Sequence, residues 1–237
     1  MKFRKFQILS ALFLICLAAI FQSCETGDIS PQQIASGKEY FPYQIGNYWI
    51  YRIDTITYTP NGDVYSGGYF RKDIISDTLP DQEGSKVFRV EIYKTVDTTS
   101  DWEIDSVWSF RVDNDKILYT ENNKPIVKLK FPLQNGNRWD GNAFNPEADS
   151  SGIFWFSIAK MGKPFIQPDS SRIEETLTVL QKVDDNSINK SNFYEVYGKN
   201  IGLIFWEKTF LIYESPVSTE IGAGNSRKCA LIRYGKE

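Results

Sequence analysis

Trp49-Ile50-Tyr51-Arg52-Ile53-Asp54-Thr55-Ile56-Thr57-Tyr58-Thr59, followed by Pro60-Asn61-Gly62-Asp63 and a return beginning at Val64-Tyr65, is the stretch that decides the fold. Trp49, Tyr51 and Ile53 fall on one side of an extended chain, Arg52 and Asp54 on the other, the two-residue period of a half-buried strand. Pro-Asn-Gly-Asp offers a tight turn in which Asn-Gly takes positive φ, so the two runs read as a hairpin.

Working outward, the same punctuation recurs. Strands are expected at residues 64–75, 86–96, 102–112, 116–120, 126–131, 153–158, 176–183, 193–197, 203–213 and 230–234. Asp113-Asn114-Asp115 forms another hairpin tip. No window after the N-terminal segment sustains a 3.6-residue apolar period, so helix is expected to be short and peripheral. The fold class is mainly β: a curved antiparallel sheet, or a partly closed barrel or sandwich, with few short helices.

One nonapeptide occurs twice. Residues 41–49, Phe-Pro-Tyr-Gln-Ile-Gly-Asn-Tyr-Trp, match residues 131–139, Phe-Pro-Leu-Gln-Asn-Gly-Asn-Arg-Trp, at six of nine positions and an offset of 90. Pro fixes an extended approach behind an anchoring Phe, Gly-Asn makes a turn needing positive φ, and Trp enters the next strand. Either the motif staples a turn to the core in two structurally equivalent halves, or the paired Trp49 and Trp139 line a common cleft.

The first 24 residues read differently from the rest. Lys2, Arg4 and Lys5 precede an apolar run at residues 8–21 broken only by Ser10, a layout that fits a secretory signal and is short for a membrane span. Ser23-Cys24 at its end resembles the lipobox of bacterial lipoproteins in the relaxed Bacteroidetes form. That resemblance implies a signal peptide at residues 1–23 and acylation of Cys24, with the lipid bilayer as the first partner. Residues 24–37 then read as a flexible tether broken by Pro31, and residues 38–237 as a single β-rich domain. The expected location is the cell envelope, at the periplasmic face or outer surface of the outer membrane. The F-P-x-x-x-G-N-x-W segment and Tyr197-Gly198-Lys199-Asn200-Ile201-Gly202-Leu203-Ile204 are similar to segments of uncharacterised exported bacterial lipoproteins; this implies an exported β fold and carries over no catalytic residue.

Composition excludes several chemistries. The chain has no His, which removes the commonest general base and transition-metal ligand. Its net charge is −3, and since residues 1–23 carry three positive and no negative charges, processing leaves −6. Such a balance repels phosphate backbones, and no nucleic-acid partner is expected. Of the three cysteines, Cys16 and Cys24 belong to the N-terminal segment, leaving Cys229 without an intrachain disulfide partner. No cofactor is implied.

Carboxylates are the remaining acid–base groups. Glu174-Glu175 point to opposite faces of a strand, whereas Glu103 and Asp105 share one. Asp140, Asn142, Asn145 and Glu147 are oxygen donors in one loop, with Asp113, Asn114 and Asp115 in another, and neither follows the ordered calcium-loop pattern, so turn-forming roles compete with calcium. No metal site is assigned. Trp49, Trp139, Trp155 and Trp206 are candidate ligand-binding residues, with ordinary core burial as the competing reading. Thr55, Thr78, Thr98 and Ser106, each after an Asp, resemble acceptors of Bacteroidetes O-glycosylation; Asp-Thr at strand ends is the competing reading. Asn189-Lys190-Ser191 is an Asn-linked sequon by letter.

These readings favour a non-catalytic binding module for a glycan, an apolar ligand or an envelope protein. A structural envelope component and a carboxylate-based hydrolase are the alternatives.

Overall fold

Alternation and turn chemistry produce twelve strands: β1 (Asn47–Tyr58), β2 (Val64–Pro80), β3 (Lys86–Thr95), β4 (Glu103–Val112), β5 (Lys116–Glu121), β6 (Lys124–Lys130), β7 (Arg138–Asp140), β8 (Trp155–Ile166), β9 (Arg172–Asp185), β10 (Asn189–Gly198), β11 (Gly202–Tyr213) and β12 (Ile221–Lys236). The structure, a computed structural model, describes residues 37–80, 86–145 and 154–237. The signal segment, Cys24, Glu147 and all of the expected tether but Gly37 lie outside the described residues. Helix among the described residues is one 3₁₀ turn, Lys38–Tyr40, and none is long and apolar enough to cross a membrane.

All twelve strands belong to one antiparallel sheet in the order β6-β5-β4-β3-β2-β1-β12-β11-β10-β9-β8-β7. It is two six-stranded meanders joined by β1 and β12, whose register runs from Asn47↔Lys236 to Tyr58↔Gly224. The sheet curls until its ends meet. The Val127 N–H of β6 donates to the Gly141 carbonyl just past β7 at 2.9 Å, and Trp139 Nε1 donates to the Val127 carbonyl at 2.7 Å. The outcome is a nearly closed barrel, which hides sheet edges that would otherwise be exposed.

The two nonapeptides occupy equivalent places in the two halves. Gly46 and Gly136 both have positive φ, 87° and 83°. Asn47 and Asn137 N–H donate to the Gln44 and Gln134 carbonyls. The Gly46 N–H donates to Ile75 on β2, and the Gly136 N–H to Ile158 on β8. In each half the motif therefore pins the entry turn to the second strand.

Five strands run several residues longer than the sequence predicts: β2 reaches Pro80, β9 spans Arg172–Asp185, β10 begins at Asn189, and β8 and β12 extend furthest. β8 continues to Ile166 rather than stopping at Ile158, through Gly162 and Pro164 and past three register shifts; bulges absorb residues that ordinarily interrupt a strand. β12 begins at Ile221 rather than Ala230, because Gly224, Asn225 and Ser226 are paired on both sides by β1 and β11, while Gly222 is passed over at a register shift against β11. Of the Pro60–Asp63 turn, Gly62 alone takes positive φ.

Candidate functional site

Barrel closure turns one face of every strand inward, and the inward face is not uniformly apolar. Along β2, Tyr69, Arg71, Asp73 and Ile75 follow one another at the two-residue period and line a single interior cavity of about 520 Å³. The opposite side of the interior is filled by a core that includes Leu129, Leu133, Trp139, Phe156, Leu177 and Val179. The cavity thus occupies only part of the barrel.

The first nonapeptide closes one end. Phe41, Pro42 and Trp49 line the cavity there, and Trp49 Nε1 donates to the Ile201 carbonyl at 2.6 Å. Gly202, at φ 96°, sits so close that a Cβ would lie 3.2 Å from the indole nitrogen. This turn needs glycine for both reasons. Toward the other end exposure rises: Asp73, Lys128 and Glu195 are buried, whereas Asp105 and Arg227 are exposed.

Buried charge is held in two networks. Arg71 donates to both Asp73 oxygens at 2.6 Å. Burial pushes the Asp73 carboxyl upward against the pull of that guanidinium. Lys128 bridges Glu195 at 2.7 Å and Glu121 at 3.0 Å, and the Tyr197 hydroxyl donates to Glu195. Burial opposes all three charges of the bridged set, but mutual attraction wins: Glu121 is held down at about 2, Glu195 lies below its ordinary value, and Lys128 lies above.

Cations in the cavity lie over aromatic faces: Arg71 over Trp108 at 4.4 Å, Lys94 over Tyr69 at 5.1 Å, Lys128 over Tyr119 at 5.7 Å and Lys208 over Trp206 at 5.5 Å. Trp108 Nε1 is buried without a hydrogen-bond partner. Burial, and then Lys128 nearby, lower the Lys208 ammonium.

The four candidate tryptophans are not brought together. Trp49 and Trp206 line the cavity. Trp139 is packed in the solid core and spends its N–H on barrel closure. Trp155 is 47% exposed with the Arg138 guanidinium 4.8 Å from its ring, beside a separate shallow depression. Trp108, which is not among those four candidates, is the third tryptophan of the cavity.

The Asp-Ser/Thr positions are equally dispersed. Thr98 is exposed in a turn where Asp97 accepts from the backbone and hydroxyls of Thr99 and Ser100, which hold its carboxyl near 2. Thr78 is half-buried and its N–H donates to Asp77. Thr55 is half-buried opposite Arg227, and Ser106 lines the cavity with its hydroxyl on Asp105. Of the Asn189 sequon, Ser191 is buried.

Polar loops satisfy themselves locally. Asp140 accepts from the Asn142 and Phe154 N–H groups, and Asp113 pairs with Arg111 and Lys116. Asp105 pairs with Lys94, Glu174 with Arg172 and Glu175 with Lys199. Among the described residues, no group of three or more potential metal-ligating side chains converges. Cys229 is buried on β12.

The charged interior residues Arg71, Asp73, Glu121, Lys128 and Glu195 were not legible as a site. The available signal was a charge sharing its strand face with a core residue, as Asp73 does with Ile75 and Glu195 with Tyr197. No protein-family model matches the chain, and no curated protein matches it.

Proposed function

We propose that the protein is a non-catalytic binding module that holds a small ligand inside the barrel. The observation that carries this reading is the cavity of about 520 Å³, closed at one end by the Phe41–Trp49 motif and walled by aromatic rings and fixed charges. Its size lies in the range of small-molecule sites, about 300–1,000 Å³. Glu121 and Glu195 are both held ionised by Lys128, so this pair supplies no carboxylic acid for glycoside chemistry, which favours binding over hydrolysis.

The basic start, the apolar run and Ser23-Cys24 support a lipid-anchored cell-envelope protein. In that setting the barrel presents its cavity at the membrane surface or in the periplasm.

A titration of the full chain with the neutral fluorophore 1-aminoanthracene tests the binding reading. Enhanced probe emission with quenching of tryptophan emission, both weakened by Trp206→Leu, is the expected result. A probe that leaves tryptophan emission and the melting temperature unchanged sinks the cavity as a binding site. Protease shaving of intact cells, read through a tag after Glu237, tests the address. Loss of the tag places the barrel outside, protection until the outer membrane is opened places it in the periplasm, and a tag that partitions with the cytosol overturns the envelope reading.

A further inference from the structure

Lys208 on β11 and Arg227 on β12 are direct cross-strand partners, and both line the cavity. Like charges directly opposite each other destabilise a sheet. On the other face of the same two strands the neighbouring pair, Glu207 and Lys228, is complementary, 3.9 Å apart. The repulsive pair therefore sits specifically on the inward face.

Among the described residues, neither cation of that pair has a carboxylate within ion-pair distance. Each carboxylate lining the cavity is engaged elsewhere: Asp73 by Arg71, Asp105 by Lys94, and both Glu121 and Glu195 by Lys128. Lys208 rests on the Trp206 ring instead. With Trp108 Nε1 also unpartnered, the cavity keeps a surplus of donors and spends its acceptors internally. A carboxylate, which only accepts, suits that surplus better than a sugar, whose every hydroxyl also brings a donor, and the faces of Tyr69, Trp108, Tyr119 and Trp206 already carry cations. What is left for the rest of a ligand is aliphatic and edge-on surface from Ile75, Val90, Ile92 and Leu203 toward the closed end.

We propose that the ligand is a long-chain carboxylate, its head between Lys208 and Arg227 and its chain directed toward Phe41 and Trp49. This rests on the cavity being a binding site, and it names the chemistry of the occupant. An anion there converts a repulsive cross-strand pair into a charge-assisted clamp.

Dodecanoate and dodecanol differ in the head group alone, so their affinities for the full chain separate the clamp from the cavity. Both are titrated by displacement of 1-aminoanthracene, dodecanoate below its micellar concentration and dodecanol below its solubility limit. Dodecanoate is expected to bind at least about tenfold more tightly, the equivalent of one strong charged contact. The ratio should fall toward one in Lys208→Met and in Arg227→Gln. Arg227 is exposed, so the second variant retains the test if the first fails to fold. Equal affinities in the parent protein overturn the carboxylate assignment while leaving cavity binding intact. A ratio unchanged in both variants overturns the assignment of the clamp to these two residues. Displacement by neither amphiphile, with 1-aminoanthracene still bound, overturns the long-chain ligand alone.

Discussion

The indole N–H of Trp139 donates to the backbone carbonyl of Val127 at 2.7 Å, tying the strand that opens the second half of the chain to the strand that ends the first. The symmetry-related tryptophan, Trp49, uses the same atom on Ile201 and closes the floor of the cavity instead. One duplicated motif therefore does two mechanical jobs.

Trp139→Phe should lower stability by about 1–3 kcal/mol, because the ring is largely replaced but the buried Val127 carbonyl loses its donor. The urea midpoint measures the loss. Faster hydrogen exchange at the Val127 amide, which bonds Gly141 across the seam, would locate it at barrel closure. Unchanged exchange there would show that the seam holds without the indole.

Gly46→Ala and Gly136→Ala should not be equivalent, although the motifs are. Both residues have positive φ, and an alanine there costs about 1–2 kcal/mol. A Cβ at Gly136 meets nothing within 4 Å, whereas one at Gly46 would lie 2.5 Å from the Glu237 carbonyl oxygen. Gly46→Ala is expected to be the more destabilising by urea denaturation, and deletion of Glu237 should narrow the difference. Equal losses would mean that backbone conformation alone sets both.

Lys128→Met should destabilise the barrel by about 3–5 kcal/mol, since it leaves Glu121 and Glu195 buried without their shared cation. The triple variant Lys128→Met, Glu121→Gln, Glu195→Gln should recover much of that loss in chemical denaturation. Failure of the triple variant to recover any would place the cost in packing rather than charge.

Acid stability follows from the same bridge. The Glu121 carboxyl is depressed in the folded state to about 2 from its ordinary 4.5. Its contribution is therefore fully present above about pH 4.5 and is lost as pH falls through the window down to about 2. Melting temperature recorded from pH 6 to pH 2 should drop across this range, and Glu121→Gln should flatten the drop. A parallel curve in the variant would assign the acid sensitivity to other carboxylates.

Much of the fold was written locally. The alternation from Trp49 to Ile53, the polar tip at Asp113–Asp115 and the turn preceding Val64 are two-residue or four-residue signals, and each marks an element. The first half of β12 was not legible, because Gly224, Asn225 and Ser226 have weak strand propensity and are held by neighbours on both sides. The last turns of β8 were hidden by Gly162 and Pro164 for a similar reason.

The site was legible only in fragments. Trp49 and Trp206 stood out as aromatics, but Asp73, Lys128 and Glu195 looked like members of solvated strand faces. A strand's period tells which residues share a face; it does not tell whether that face meets water or another wall. The sequence by itself determined strands, turns, the duplicated motif and the absence of His chemistry, because these depend on neighbours along the chain. Tertiary structure alone decided that the sheet curls back on itself, which puts the charges inside. It also decided the register that sets Lys208 against Arg227, since that pairing is fixed by β11 and β12 meeting across the sheet and by no signal within either strand.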